Sequence, residues 1–371
     1  MSQKYQICTK CVMDSSDPDI SFNAFGVCNY CQFYENNIVP QLLASTNEVF
    51  LKKIEEIKEI GRGRKYDVLM GLSGGADSSY VAYLIKDFGL KILAVHLDNG
   101  WNSEIAVSNI EKCVEWTNAD LYTHVIDWEE FKSLQLAYLK ASVIDIEDLT
   151  DHAIRAILYK LAAQFDIKYM LSGQNSSTES IMPPSYAYMK VDKKNIFAIN
   201  KIFGTKKIKT FPSISLSKLI YYKIFKKIES VKVLDFFNYD REEAIAEMTQ
   251  NMGWKDYGGK HFESFFTKFY QSFILPEKFG VDKRRPHLAS MICSGSISRE
   301  KALEILKMPI YSKDKRKQDI VYFNTKFGLS KEDFEKLMQT PPVLHTFYPN
   351  NKKLIEFLIS LTSSRAYIKK G

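Results

Sequence analysis

The sequence has 371 residues, of which 45% are hydrophobic and 26% are charged. These values are typical of globular proteins, so they exclude a disordered or fibrous chain, and the length suffices for two or three domains. The first residues lack the apolar core of a signal peptide, and no stretch approaches the roughly 18 apolar residues of a membrane span. We therefore expect no membrane span and a cytoplasmic location.

The net charge of +7 arises from 51 basic and 44 acidic residues. Much of the excess lies in four basic patches, at residues 201–211, 221–227, 282–287 and 312–319. Nucleic acid, anionic small substrates and solvated helix faces would each explain such patches. The net charge alone therefore does not identify the binding partner.

Four of the six cysteines form two Cys-x-x-Cys pairs near the start of the chain: Cys8 with Cys11, and Cys28 with Cys31. This spacing is typical of a zinc ribbon, in which each pair directs two thiolates at one tetrahedral ion. The alternatives are two disulfides or an iron–sulfur cluster. We favour zinc over residues 1–40. Four thiolates leave no position for a catalytic water, so the expected role is structural or in partner docking.

Strands and helices alternate after the ribbon. Residues 41–65 are predicted to form an amphipathic helix, over 48–60, and a linker. The predicted strands that follow are residues 66–72, 91–98, 121–126 and 168–173, with helical stretches at 78–89, 103–118 and 151–165. This alternation predicts a doubly wound parallel α/β sheet covered on both faces, over residues 66–200. Ligands of such sheets bind at the carboxyl ends of the strands.

A glycine-rich loop follows the first predicted strand and leads directly into a helix. It reads Ser73-Gly74-Gly75-Ala76-Asp77-Ser78-Ser79. Two glycines permit a sharp turn that exposes N–H groups, and the serines add hydroxyl donors at the positive end of the helix. The lysine of the common nucleotide-binding loop is missing. The carboxylate of Asp77 would repel a phosphate unless a cation such as Mg²⁺ lies between them. The alternative is a turn that only joins a strand to a helix.

On Ser73, Gly74, Gly75, Asp77 and Ser78, the chain resembles the PP-loop ATP pyrophosphatases, whose signature is Ser-Gly-Gly-x-Asp-Ser. The resemblance implies that this loop binds the pyrophosphate end of ATP, and that ATP is cleaved between its α and β phosphates to adenylylate a substrate oxygen. It also implies that the ends of the second and fourth strands face the same cleft. We accordingly expect three further ATP-binding residues, namely Ser79, Asp98 and Gly173.

Residues 201–371 are predicted to be mostly helical and to form a substrate or partner domain. Its aromatic residues at helical spacing are interpreted as core. Two stretches are less easily explained as scaffold, residues 253–264 and 279–290. The second places Asp282, Lys283, Arg284, Arg285 and His287 within six residues, a density of donors suited to phosphate or carboxylate groups. A solvated charged turn is the alternative.

Together with the cysteine pairs and the loop, these stretches resemble the N-acetyl sugar amidotransferase family of lipopolysaccharide O-antigen and related surface-glycan biosynthesis. The matching residues are Gly253, Trp254, 257–261 and 279–285. The resemblance implies that an acetamido group of a nucleotide-linked sugar becomes an acetamidino group. ATP would adenylylate the amide oxygen, and ammonia would then displace AMP. The expected cofactors are ATP, Mg²⁺ and Zn²⁺, and the expected catalytic residues are Asp77, Lys260, Lys283 and Arg284.

The chain contains no evident source of ammonia. Neither Cys113 nor Cys293 lies in a convincing nucleophile setting, so both are interpreted as buried thiols. We therefore predict a separate glutaminase subunit, to which the family resemblance adds an ammonia-channel subunit. Nucleic acid is not expected as a partner. The rival hypothesis is tRNA thiolation, which would need reactive cysteines in the cleft. A non-enzymatic zinc-dependent adaptor would bind ATP without releasing AMP.

Overall fold

A five-stranded parallel sheet lies at the centre of the protein. In this computed structural model, the structure describes residues 5–259 and 262–367. The strand order is β3-β2-β1-β4-β5, and the strands are β1 (Val68–Gly71), β2 (Ile92–Asp98), β3 (Asp120–Val125), β4 (Tyr169–Ser172) and β5 (Glu229–Lys232). The predicted doubly wound sheet is confirmed. Because the order reverses at β1, a crevice opens between the carboxyl ends of β1 and β4.

Helices cover both faces of the sheet, because successive strand residues point to opposite sides. Val68 and Met70 pack against α3 (Asn47–Gly61), α4 (Ala76–Ile85) and α5 (Glu104–Thr117). On the other face, Leu69 packs with residues of α7 and α10, whose bounds are Asp148–Gln164 and Leu216–Ile224. The amphipathic helix and the three helices predicted around the strands are thus present, each with ends shifted by a few residues.

The strand β5 lies beyond residue 200, in the segment that was expected to be mostly helical. It pairs in parallel with β4, from Tyr169 opposite Glu229 to Ser172 opposite Lys232. Only Val231 of its four residues is buried, so the strand lacks the continuous apolar run that reveals a central strand in a sequence.

The remaining helices surround this sheet. They are α1 (Asn29–Phe33), α2 (Val39–Ala44), α6 (Trp128–Ala141), α8 (Ser176–Glu179), α9 (Lys193–Phe203), α11 (Arg241–Met252), α12 (Phe265–Phe269), α13 (Leu275–Phe279), α14 (Arg284–Ser294), α15 (Arg299–Lys307), α16 (Lys313–Phe327), α17 (Lys331–Gln339) and α18 (Lys352–Tyr367). Ser298 and Ser330 begin α15 and α17, and the hydroxyl of each accepts a backbone N–H three residues on. Within the described ranges, no helix is both long and apolar enough to cross a bilayer.

An aromatic core holds the C-terminal helices together. The ring centroids of Phe269 and Phe323 lie 4.7 Å apart, and those of Phe323 and Phe334 lie 5.6 Å apart. These rings join α12, α16 and α17 in a cluster that also contains the buried Trp101. Most of the aromatic residues at helical spacing in this part are therefore core, as predicted.

The first residues pack against the C-terminal helices α14 and α15. Leu288 and Ala302 share a buried cluster with the four cysteines of the ribbon. The guanidinium group of Arg299 donates to the carbonyl oxygens of Cys8 and Cys11, at 3.0 Å each. Since these contacts join residues up to 291 positions apart in sequence, the ribbon is part of the folded body.

Candidate active site

The loop between β1 and α4 turns sharply at Gly74. Its φ is +74°, and a Cβ at this position would lie 2.2 Å from the carbonyl oxygen of Ala106. Only glycine fits such a position. The hydroxyl of Ser73 accepts the Gly75 N–H at 3.2 Å, and Ser78 donates its hydroxyl to the Gly75 carbonyl at 3.2 Å. The predicted glycine-rich turn therefore ends at the N-terminus of α4.

A cavity of about 290 Å³ lies above this loop, at the carboxyl ends of β1 and β4. Gly173, which follows β4, closes one side of it: a Cβ there would lie 2.8 Å from the backbone of Asp77 and Ser78. The cavity is lined by Ser73, Gly75, Ala76, Asp77, Ser78, Asp151, Gly173, Gln174, Glu179, Arg241, Tyr257 and Glu263. Five predicted site residues, Ser73, Gly75, Asp77, Ser78 and Gly173, are thus brought together.

Asp77 accepts a short hydrogen bond from the hydroxyl of Tyr239. Burial raises the pKa of Tyr239, and the charge of Asp77 raises it further. The phenol therefore stays protonated and acts as a donor. This bond fixes the carboxylate at the first turn of α4, beside the loop N–H groups.

The stretch after Gly253 reaches the same loop. The N–H of Ala76 donates to the hydroxyl oxygen of Tyr257 at 2.9 Å. The buried amide of Asn109 bonds both the N–H and the carbonyl of Lys255, each at 2.9 Å, and donates to the Gly74 carbonyl at 3.3 Å. Tyr257 therefore covers an N–H group that a phosphate oxygen could otherwise accept.

Arg241 is the one lysine or arginine among the described lining residues. It is the first residue of α11, after Asp240, whose carboxylate accepts the N–H groups of Glu242 and Glu243. Within the described part of the chain, its buried Nη2 atom has no hydrogen-bond partner. A guanidinium on the wall of such a cavity is suited to bind phosphate. Arg241 was not among the site residues predicted from the sequence.

The wall of the cavity carries more negative than positive charge among the residues that the structure describes. Four carboxylates line it, from Asp77, Asp151, Glu179 and Glu263, against one guanidinium. Oxygen ligands are what Mg²⁺ prefers, so this set of donors fits a magnesium ion. Asp77 belongs to the loop sequence itself and lies in the first turn of α4, which makes it the first candidate ligand.

A buried ion-pair network supports the wall at Asp151. The ammonium group of Lys190 lies 3.1 Å from Asp151 and 2.6 Å from the fully buried Asp145. Burial would lower the pKa of Lys190, but these carboxylates outweigh it and raise the pKa well above its usual value. Lys190 therefore stays charged and holds Asp151 at the cavity.

The other predicted ATP-binding residues do not line the cavity. Gly74 packs against α5, and the side chain of Ser79 is fully buried within α4. The carboxylate of Asp98 accepts the Gly100 N–H at 2.9 Å and the Asn102 amide at 3.3 Å, in the turn after β2. Their predicted contact with ATP stays a prediction.

Two of the predicted catalytic cations, Lys283 and Arg284, are engaged elsewhere. Lys283 forms an ion pair with Glu147 at 2.8 Å. Burial alone would lower the pKa of Lys283, but the charge of Glu147 outweighs burial and raises that pKa. Arg284 bonds Asp282 and the carbonyl oxygens at the end of α15, including that of Met308 at 2.9 Å. Neither side chain is on the cavity wall. Lys260 and the neighbouring His261 lie outside the described residues.

The four ribbon cysteines form a compact sulfur site. Their Sγ atoms lie within 4.8 Å of one another, and all four residues are buried. The N–H groups of Cys11 and Cys28 point at the Cys8 sulfur, at 3.4 and 3.2 Å. Such N–H···S contacts stabilise thiolates, and four thiolates at this spacing fit a tetrahedral Zn²⁺ ion. A fifth sulfur, that of Cys293, lies 3.7 Å from the Cys31 sulfur.

The sheet, together with the Ser-Gly-Gly-x-Asp-Ser loop at its switch point, is similar to the nucleotide-binding core of PP-loop proteins. Residues 263–362 match the family model described as LPS biosynthesis protein WbpG-like, C-terminal domain. Residues 66–140 match the model described as tRNA methyl transferase HUP domain. Both matches agree with the resemblance found in the sequence.

Curated relatives match over short segments. A tRNA(Ile)-lysidine synthase of Chlamydia pneumoniae is 50% identical over 38 residues, which are 10% of this chain and 12% of that protein. A 7-cyano-7-deazaguanine synthase of Methanosphaerula palustris is 40% identical over 83 residues, which are 22% and 33% of the two proteins. The chain therefore spans a third or less of these relatives.

Solved structures match over about half of the chain. An NMN synthetase from Francisella tularensis has 17% identity and a TM-score of 0.29, covering 52% of this chain and 74% of that one. An NH3-dependent NAD synthetase from Campylobacter jejuni has 18% identity and a TM-score of 0.28, covering 55% and 83%.

Proposed function

We propose that the protein is an ATP-dependent amidotransferase that converts an acetamido group of a nucleotide-activated sugar into an acetamidino group. One observation carries the proposal: the loop lacks a lysine, carries the carboxylate of Asp77 and lines a cavity. Among the lining residues that the structure describes, Arg241 is the one lysine or arginine. Such a loop suits release of pyrophosphate rather than transfer of the γ-phosphoryl group. The match of residues 263–362 to a lipopolysaccharide biosynthesis domain supports a sugar substrate.

In the first step, the amide oxygen attacks the α-phosphorus of ATP, and the bond to the β-phosphate oxygen breaks. Negative charge builds on the departing pyrophosphate. The loop N–H groups and Arg241 lie where they can stabilise that charge as preset donors. When ATP binds, the hydrogen bond from the Ala76 N–H to the hydroxyl of Tyr257 would break, and the N–H would donate to a phosphate oxygen instead. Mg²⁺, when bound at Asp77, would supply further neutralisation of the phosphates.

In the second step, ammonia attacks the imidoyl carbon, and the former amide oxygen leaves with AMP. The attacking nitrogen becomes positive, and the amidine product is itself a cation at neutral pH. Carboxylates such as Glu263 and Glu179 on the cavity wall would stabilise this charge. The described part of the wall, with its carboxylates and Arg241, thus suits a reaction that begins with a polyanion and ends with a cationic product.

The ammonia would come from a separate glutaminase subunit, with a channel-forming subunit as its companion. Within this chain, Cys113 is fully buried in α5, and burial raises its thiol pKa to about 11. Cys293 lies against the ribbon. Neither lines the cavity. The same positions argue against tRNA thiolation, because sulfur transfer through a persulfide needs a reactive thiol in the cleft.

The test is to incubate the protein with ATP, Mg²⁺, ammonium and candidate nucleotide-linked N-acetyl sugars. We expect AMP, pyrophosphate and a sugar product about one mass unit lighter, since NH replaces O. Asp77→Asn should abolish the reaction, whereas Cys113→Ser with Cys293→Ser should preserve it. Formation of ADP, or full activity of Asp77→Asn, would contradict the proposal.

A further inference from the structure

The positive charge of the chain is concentrated in one segment. Residues 201–232 contain nine lysines and a single acidic residue, Glu229, for a net charge of +8. The rest of the chain contains 42 basic and 43 acidic residues, so it is nearly neutral. The proposed reaction uses none of these lysines. The segment therefore calls for a separate explanation.

Helix α10 lies in this segment and presents apolar side chains to solvent. Its inner face is packed, since Leu219 and Tyr222 are buried and Tyr222 stacks on Tyr159 of α7. Its outer face carries Ile224 and, just past the helix end, Phe225, which are 63% and 72% exposed. Two exposed apolar side chains in sequence, at the end of a helix whose inner face is packed, indicate a surface that a membrane or a binding partner covers.

Lysines surround this apolar pair. Lys218 lies about two turns before Phe225, Lys226 and Lys227 follow it, and Lys218 and Lys227 are exposed. A groove of about 230 Å³ beside the helix is lined by further cationic and hydroxyl groups, including Lys160, Thr210 and Ser213. Among the described residues that line this groove, none is acidic. The surface is therefore complementary to phosphate-bearing head groups.

We infer that the outer face of α10 binds the surface of an anionic lipid bilayer, with Ile224 and Phe225 inserted at the level of the head groups and the lysines paired with lipid phosphates. Apolar residues flanked by lysines on a short helix are typical of interfacial binding. A protein partner fits less well because lysine is depleted at protein interfaces. Phe225 could stack on a base, but the exposed Ile224 offers a nucleic acid neither stacking nor pairing, whereas a bilayer accommodates both side chains.

The experiment is co-sedimentation of the full chain with vesicles of phosphatidylglycerol and phosphatidylcholine, compared with pure phosphatidylcholine, at low and high salt. We expect binding to the anionic vesicles only, and weaker binding at high salt. Reversing Lys218 and Lys227 to Glu should weaken the partition coefficient at least about 25-fold, at roughly fivefold per lysine. Ile224→Ser with Phe225→Ser should weaken it at least about tenfold.

Matched control variants distinguish an effect of this particular surface from a general effect of lowering the net charge or the exposed apolar area. Lys313→Glu with Lys317→Glu makes the same charge change on α16, and Val321→Ser removes an apolar side chain that is 66% exposed there. These variants should bind as the parent does. Equal losses in the controls, equal binding to neutral vesicles, or no sedimentation with either vesicle would overturn the inference. Lysine-dependent binding of a single-stranded RNA without vesicle binding would assign the surface to nucleic acid instead.

Discussion

Adding one methyl group at Gly173 should slow the reaction without unfolding the protein. The Cβ of Gly173→Ala would lie 2.8 Å from backbone atoms of Asp77 and Ser78, whereas ordinary contact begins at 3.4 Å. The loop and the β4 end must therefore separate by roughly 0.6 Å. Misplacement of about 1 Å can cost about 100-fold in rate, so we expect a 10- to 100-fold lower kcat. Overpacking should cost about 1–3 kcal/mol of stability.

The assay is release of pyrophosphate and AMP at saturating ATP, with a thermal melt of each variant. Gly71→Ala is the matched control, because its Cβ would meet Leu158 at 3.7 Å, an ordinary contact, at the end of β1. It should leave the rate within about twofold. A parental kcat for Gly173→Ala would refute the placement of the reaction at this loop. An equal loss in both variants would point to damage of the sheet instead.

Three further predictions follow from the site, the core and the ribbon. Arg241→Ala should lower kcat, measured as AMP release, by about 100- to 1,000-fold, and Arg241→Lys should retain part of the parental rate. A parental rate for Arg241→Ala would exclude a role of this guanidinium in stabilising the leaving pyrophosphate. Burial lowers the pKa of His152 from 6.5 to about 4, and its neutral ring accepts the Ile214 N–H. The histidine of the unfolded chain binds a proton more readily, so about 3 kcal/mol of stability that is present above pH 6.5 should be lost as the pH falls towards 4. Denaturant titrations of the parent and of His152→Gln at several pH values test this, and the stability of the variant should depend less on pH. Chelation should release one zinc per chain and lower Tm; release of iron would identify a cluster instead.

The sequence predicted most of the sheet and the loop because their signals are local. Val68 to Gly71 is an apolar run followed by glycines, and a turn entering a helix needs only neighbouring residues to be recognised. The strand β5 gave no such signal, since its residues are mostly polar and exposed. It joins the sheet only because β4 offers a free edge.

The basic cluster at 282–285 shows why side-chain roles were harder to predict. Its donors looked available for a ligand, but Arg285 pairs with Asp14 at 2.9 Å and Lys283 with Glu147. These partners are distant in sequence, and nothing local to the cluster reveals them. Arg241 was missed for the converse reason. It stands alone before two glutamates, and only the fold brings it to the cavity.

The docking of the ribbon has a consequence for synthesis of the chain. Arg299 binds the Cys8 carbonyl across 291 residues of sequence. At about 5–20 residues per second, a ribosome needs some tens of seconds to make the helices that receive the ribbon. The amino-terminal segment must therefore remain uncovered throughout that interval, with its apolar surface available to chaperones. Contacts of such long range also slow folding, so docking of the ribbon onto the helices that receive it is expected to be a late event.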